Sequence, residues 1–349
     1  MGVPVAVLRM GAADTALLCA DAGPRGLRTV SYERVARPTL DPAGVPTPNA
    51  AAVVAALTEA AGLRAVTLAL PPGAATLARV RVDVPAPGAV TGRTVEDALA
   101  SARTAAAKPG QAILSCRPFA FEADGEPVDE APLGRKVSML GVDAVCLSAS
   151  LSQLSAYERA VSPAALSGVV AHADALGAAF LPEGEGAVIR VGQVGTFALR
   201  MTNAAVSAQA RVPVGRRHVE GDLAQAMALE PAEAARRADA VLSGTSSDDR
   251  AIGVVGDRLA ELSDLLEAAV ARAGLDLAGA RLSGLPPRAA ARVVGAAPAA
   301  MPDLPTVLRD DPVIGGAAML LLGMRGGTGR AVLAKPERPS AWAWLKQRF

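Results

Sequence analysis

Val5-Ala6-Val7-Leu8-Arg9-Met10-Gly11 is a short Val-rich run ending on a glycine. Val188-Ile189-Arg190-Val191-Gly192-Gln193-Val194-Gly195-Thr196 repeats the arrangement in the second half of the chain. A short continuous apolar run bounded by glycine is the pattern of a strand covered on both faces. Each run predicts a buried strand entering a tight turn. Two more strands follow each one: Asp14–Ala20 and Thr29–Ala36 after the first, around the turn Gly23–Gly26, then Thr196–Met201 and Ala205–Val212 after the second. One scheme used twice is the outline of a duplicated fold.

Working outward, Asn49–Ala61 predicts a helix capped by Asn49 and closed by Gly62, and Ala65–Leu70 a buried strand stopped by Pro71 and Pro72. Pro85–Gly88 reads as a boundary. A helix is expected over Thr94–Ala107, with a capping box from Thr94 to Asp97. The strands Ala112–Arg117 and Val137–Leu147 and the helix Leu151–Ala160 complete an α+β block. A helical stretch is expected over Ala164–Ala175, and Val219–Ala271 reads as mostly helical. Leu282–Pro287 is a strand running into a turn, Leu304–Leu308 is short, and Gly315–Leu322 is a packed helix. A Gly/Pro/charged linker, 323–339, leads to the tail.

The chain has 349 residues, half of them apolar, and a net charge of +1. That length points to more than one structural unit, and that charge supplies no field for nucleic acid. No basic stripe with interleaved aromatics is present either, so no nucleic-acid partner is expected. Cys19, Cys116 and Cys146 are widely spaced in apolar runs and read as buried free thiols of a reducing compartment. None has zinc spacing, so no metal site is expected. The start of the chain has no basic region and no long apolar core, and Ala317–Leu322 is too short to span a bilayer. The expected location is cytoplasmic. His172, His218, Glu183 and Glu185 have no partners at catalytic spacing, and no catalytic residue is assigned.

The order of these motifs resembles the actin-like ATPase superfamily, and within it the FtsA family of bacterial cell-division proteins. Val5 to Gly11 is similar to the first phosphate strand and turn, Val188 to Thr196 to the second phosphate loop, and Arg281-Leu282-Ser283-Gly284-Leu285 to the adenosine-side turn. Phe121-Glu122-Ala123-Asp124-Gly125, Ala131-Pro132-Leu133-Gly134 and Leu140 resemble a signature of the subdomain that FtsA proteins insert between their phosphate motifs. The resemblance implies an α/β, duplicated RNase H-like fold. It comprises a first subdomain in two parts (1–84 and 163–203), an inserted α+β subdomain (85–162), a reduced second half (204–322), the linker (323–339) and the tail (340–349). It also implies nucleotide-binding positions at Gly11, Gly192, Gly195, Thr196, Ser283 and Gly284.

The family carries an aspartate two residues before the first glycine of each phosphate loop, to organise Mg²⁺ and the attacking water. Here those positions hold Arg9 and Arg190, and Leu285 replaces the second glycine of the adenosine turn. A guanidinium cannot ligate a cation. It can clasp phosphates directly, but a dead site with each arginine satisfied by a carboxylate or carbonyl is the preferred reading. No cofactor is expected, and the arginines weigh against ATP with Mg²⁺. An active ATPase or sugar kinase is the reading they argue against most directly.

Trp342, Trp344, Leu345 and Phe349 lie on one arc of a helical wheel drawn for Ala341–Phe349, with Arg348 inside the arc and Lys346 at its edge. Tryptophan suits a membrane interface and the cations suit anionic lipid. The tail therefore predicts peripheral attachment, made firm by self-association because so short a helix binds weakly. The resemblance implies a membrane-associated division adaptor or scaffold without ATP hydrolysis, recruiting FtsZ or other division proteins. The alternative is a PilM-like component of a pilus or secretion platform that binds a peptide of a membrane protein and needs no tail.

Overall fold

The sheet that begins the chain is built around β1 (Val5–Arg9), whose Val7 and Leu8 are fully buried. β1 pairs antiparallel with β2 (Thr15–Gly23), which pairs antiparallel with β3 (Gly26–Val35). After α1 (Ala50–Ala60) the chain returns as β4 (Ala65–Ala69), parallel to β1 on its other side. Asn49 takes the N-cap position of α1, but its side chain makes no cap hydrogen bond. The computed structural model describes residues 5–23, 26–294, 309 and 311–323. The expected segment Leu304–Leu308, the linker beyond Gly323 and the tail lie outside the described residues.

A second sheet follows at once. β5 (Ala75–Ala89), β6 (Gln111–Ala123), β7 (Glu126–Val128) and β8 (Lys136–Ser150) pair antiparallel in the order β5-β8-β6-β7. α2 (Gly92–Ala106) buries Val95, Ala98, Ala102 and Ala106 against it. Two expectations are corrected here. Pro85–Gly88 is not a boundary but part of β5, because β5 is an edge strand and an edge tolerates residues without an N–H. The capping box is Thr91 with Thr94, three residues before the expected pair: each backbone N–H donates to the other's hydroxyl at 3.2 Å.

α3 (Leu151–Val161) packs against α1 and brings the largest fully buried side chain, Tyr157, into the core with Leu8, Leu68 and Leu57. Its hydroxyl donates to the Gly44 carbonyl at 2.8 Å and accepts from Gln153 Nε2 at 2.9 Å, so the polar end of the ring is satisfied. The helix expected over Ala164–Ala175 is another correction. β9 (Ala165–Val170) is a strand parallel to β4, and α4 (His172–Phe180) starts only after it. Alanine and glycine hide the strand pattern; a place at the sheet edge with Leu166 and Val170 buried overrides helix propensity. The first sheet thus has the order β3-β2-β1-β4-β9.

The repeat begins at β10 (Gly186–Val191), followed by β11 (Thr196–Thr202), β12 (Ala205–Val212), α5 (Arg216–Met227), α6 (Pro231–Ser243), α7 (Asp249–Ala273), β13 (Arg281–Ser283) and α8 (Pro287–Val294). Its sheet order, β12-β11-β10-β13, matches β3-β2-β1-β4 strand for strand, with β10 parallel to β13 as β1 is to β4. Ile189, Val191, Leu223, Val255, Leu259, Leu262 and Leu282 form its core.

Contacts divide the chain into two units. The first holds the two sheets before Glu185, the hairpin tip Met201–Ser207 and α9 (Pro312–Leu321); the second holds 186–200 and the chain from Ala208 to α8. By contacts, β10 and most of β11 fall in the second unit and α9 in the first, where its Val313, Ile314, Ala317 and Ala318 are buried and its Gly316 lies on Ala175 of α4. α9 also starts three residues before the expected Gly315, where the Asp311 carboxylate caps it by accepting from Ile314 N–H. Among the described residues no helix is long and apolar enough to cross a membrane.

Candidate functional site

The first glycine turn lies at the end of β1, the central strand of its sheet, so Arg9 leaves the sheet beside Gly11. Its guanidinium lies between two carboxylates. Nη2 donates to Asp14 Oδ1 at 2.7 Å and Nε to Asp311 Oδ2 at 2.6 Å. Asp14 also accepts from Arg34 Nε at 2.6 Å, and Tyr32 Oη lies 3.5 Å from Asp311 Oδ2. Two arginines and two aspartates balance in charge, as buried ions must. The Arg9 side chain is 18% exposed and that of Asp311 4%.

Protonation follows from this packing. Burial pulls the Arg9 pKa down, but Asp311 and Asp14 more than offset it and raise it above the usual arginine value. Burial pushes the Asp14 carboxyl up, and Arg9 and Arg34 overcome that push and hold it below the usual carboxylate value. The Tyr32 phenol is pushed up to about 12, first by burial and then by the Asp311 charge.

The backbone of this turn is also committed. Gly11 N–H donates to Thr39 Oγ1 at 3.3 Å, and its carbonyl accepts from Thr39 N at 2.9 Å and Leu40 N at 3.1 Å. A Cβ on Gly11 would lie 2.7 Å from the Asp14 carbonyl and 2.9 Å from Arg9 Nη1. Glycine here permits a close approach of the protein to itself.

In the second unit the remaining predicted positions converge. Gly192 and Gly195 close a turn with Gly192 N–H on the Gly195 carbonyl at 2.9 Å. Thr196 is fully buried, its hydroxyl donating to the Val214 carbonyl at 2.8 Å. The parallel pairing of β10 with β13 sets Arg190 opposite Ser283. Gly284 follows with φ +90°, and a Cβ there would collide with the Val191 carbonyl. The Ser283 hydroxyl is buried without a hydrogen-bond partner among the described residues. So Gly192, Gly195, Thr196, Ser283, Gly284 and Arg190 share one sheet end, while Gly11 and Arg9 form a separate group in the first unit.

The N-terminus of α5 points into this turn, where a helix would ordinarily offer N–H groups to an anion. Here Arg216 N–H donates to the Gly192 carbonyl at 3.0 Å and Arg217 N–H to the Gln193 carbonyl at 2.9 Å. His218 folds back so that Nδ1 accepts from Gly215 N–H at 3.1 Å. This gives His218, read from sequence as non-catalytic, a capping role. A Cβ on Gly215 would lie 2.5 Å from the Gly192 carbonyl, so the turn and the helix start interlock.

These residues do not fit Mg²⁺–ATP. A hard cation needs several oxygen ligands. The two carboxylates that converge near the first turn, Asp14 and Asp311, already hold the Arg9 guanidinium between them. A divalent ion would have to displace a permanent internal cation. Among the described residues no group of three His, Cys, Asp or Glu could hold a metal. The arrangement ties strands, turns and a distant helix together.

Sequence reading found Arg9 but not its partners. Asp311 is 302 positions away, and Arg34, which shares Asp14 with Arg9, is twenty-five, with no spacing that links them. It also passed over Arg288 and Arg292, which rim a small hollow between α6, α7 and α8 floored by Val241, Ile252, Val255 and Leu259. Their separation by four positions puts them on one face of α8.

No protein-family model and no curated protein matches the chain. Solved structures do. A chain of the PilM–PilN type IV pilus biogenesis complex aligns with a TM-score of 0.62 at 15% identity, over 91% of this chain and 98% of that one. The ethanolamine utilization protein EutJ from Carboxydothermus hydrogenoformans aligns at 0.51 with 14% identity, over 93% and 91%. MreB5 of Spiroplasma citri bound to ADP aligns at 0.52 with 10% identity, over 92% and 97%. Identities this low speak to architecture, and the twice-used strand order agrees with them: the chain has the α/β fold of the actin-like ATPases.

Proposed function

We propose that this chain is a non-hydrolysing actin-like scaffold that works at the inner face of the cell membrane by holding protein partners. The observation that carries the reading is Arg9 between Asp14 and Asp311, at the position where the sequence resemblance expects a metal-organising acid. Closed glycine turns in both units support it. In this reading Gly11, Gly192, Gly195, Thr196, Ser283 and Gly284 are retained for shape, as remnants of a nucleotide site.

As an FtsA-like adaptor, the protein would attach through Trp342, Trp344, Leu345, Lys346, Arg348 and Phe349 and recruit FtsZ or other division proteins. The sheet β5-β8-β6-β7 with α2 would be the inserted subdomain and the surface for self-association. The PilM-like reading has its own support in the alignment over 98% of a chain from the PilM–PilN complex. There the partner would be a segment of a pilus or secretion membrane protein.

Two measurements decide. Isothermal titration with ATP and Mg²⁺ should give no binding heat, and no phosphate should be released; Mg²⁺-dependent turnover would overturn the non-hydrolysing scaffold. A fluorescent fusion of the full chain separates the partners. Midcell rings support the division adaptor, whereas foci that follow a pilus or secretion platform support the alternative.

A further inference from the structure

We propose that Cys116 and Cys146 form a redox-responsive dithiol that a peroxide converts into a cross-strand disulfide. The two residues are thirty positions apart and nothing in their spacing connects them. The register of β6 and β8 places them directly opposite each other. Directly opposed residues of an antiparallel pair share a face, with Cα atoms about 4.5–5.5 Å apart. A disulfide spans Cα separations of about 4.4–6.8 Å, so the register places the two residues within its reach.

Their surroundings suit the chemistry. Both thiols lie beneath α2 in a small cluster with Ala102, Ala106 and Ala144. Cys116 is 8% exposed and Cys146 1%, which admits a small oxidant and excludes a large one. The neighbouring Cys146 and burial push the Cys116 thiol up, and Cys146 Sγ donates weakly to the Ala102 carbonyl at 4.0 Å. Whichever thiol ionises first is the nucleophile, since the thiolate is the reactive form, and the other resolves it.

The first thiolate of the pair attacks one oxygen of hydrogen peroxide. The O–O bond breaks, hydroxide leaves, and that cysteine becomes a sulfenic acid. The sulfur of the second cysteine then attacks the sulfenic sulfur, forming the S–S bond and expelling the oxygen as water with the second thiol's proton. Two thiols and one peroxide become one disulfide and two waters. The product staples β6 to β8 and closes the loop that carries β7. Cys19, in β2 of the other sheet, is the internal control. The inference is independent of the partner reading above.

The test is graded hydrogen peroxide on the full chain, followed by alkylation and peptide mapping. The expected result is a Cys116–Cys146 linked peptide within one chain, loss of two of the three thiols, and full recovery with dithiothreitol. Cys19→Ser should behave as the parent. Cys116→Ala and Cys146→Ala should each lose the link, and at least one of them should stop at a sulfenic acid on the remaining cysteine that dimedone captures. The proposal is overturned if both thiols alkylate fully after peroxide has oxidised exposed methionine. It is equally overturned if the link involves Cys19 or a second molecule, or if sulfinic acid forms at Cys116 or Cys146 in place of the disulfide. The parent protein alone gives these outcomes, so a variant that fails to fold does not obscure them.

Discussion

Arg9 Nε donates a 2.6 Å hydrogen bond to Asp311 Oδ2, joining the end of β1 to the residue that caps α9, 302 positions further along the chain. The same guanidinium bonds Asp14. A group that would have to be absent for metal binding is thus the one that closes the first unit.

Removing it should be costly. Arg9→Met leaves Asp311 with only the Tyr32 hydroxyl and the Ile314 N–H, and Asp14 with only Arg34. Breaking a buried ion pair from one side costs about 3–5 kcal/mol, and urea unfolding should show a loss of that order. Arg9→Met combined with Asp311→Asn should cost less than the sum of the two single changes, because no charge is then stranded beside Tyr32. Additive losses would mean that the pair is not coupled.

The same cluster contributes to both ends of the pH profile. The folded Asp14 pKa is depressed, so its contribution is present above the ordinary aspartate value of about 3.9 and is lost as pH falls below it. Tyr32 works in the opposite sense. The folded phenol keeps its proton up to about 12, while the unfolded one releases it near about 10. Above that lower value the unfolded chain binds fewer protons, and stability falls as pH rises through the window. Tyr32→Phe should make the alkaline limb shallower, with buried Tyr157, also pushed up to about 12, supplying what remains, and leave the acid limb in place, read by thermal unfolding across pH.

Gly284→Ala should destabilise the second unit. The residue needs φ +90°, and the new methyl would meet the Val191 carbonyl. Backbone strain alone costs roughly 1–3 kcal/mol, and the collision adds to it. Gly62→Ala is the comparison: its φ is +65°, but nothing lies within 4 Å of the new methyl. Its melting point should drop less.

The tail carries its own test. Deleting 340–349 should abolish co-sedimentation with anionic vesicles, and Trp344→Ala should weaken it, since a tryptophan at the interface and cations near anionic lipid supply the attraction. Raising salt should weaken binding of the full chain as the lysine and arginine terms are screened. Equal pelleting of the truncated and full chains would refute the membrane role.

The duplicated scheme was legible in the residues because it rests on local signals. Val-rich runs ending on glycine mark β1 and β10 wherever they fall, and the strand-rich openings of both halves follow from turn residues and alternation. Even the exchanged charge at Arg9 and Arg190 could be read from position alone. What escaped is decided by neighbours distant in sequence. β9 is a strand because a sheet edge beside β4 was open to it, although its alanine and glycine read as helix. Pro85 continues a strand because β5 is an edge. Asp311 meets Arg9, and Cys116 meets Cys146, only through packing and register. Composition and period report what a residue prefers; which carboxylate or thiol stands opposite depends on loop closure and pairing across tens to hundreds of residues, and no local pattern encodes that choice.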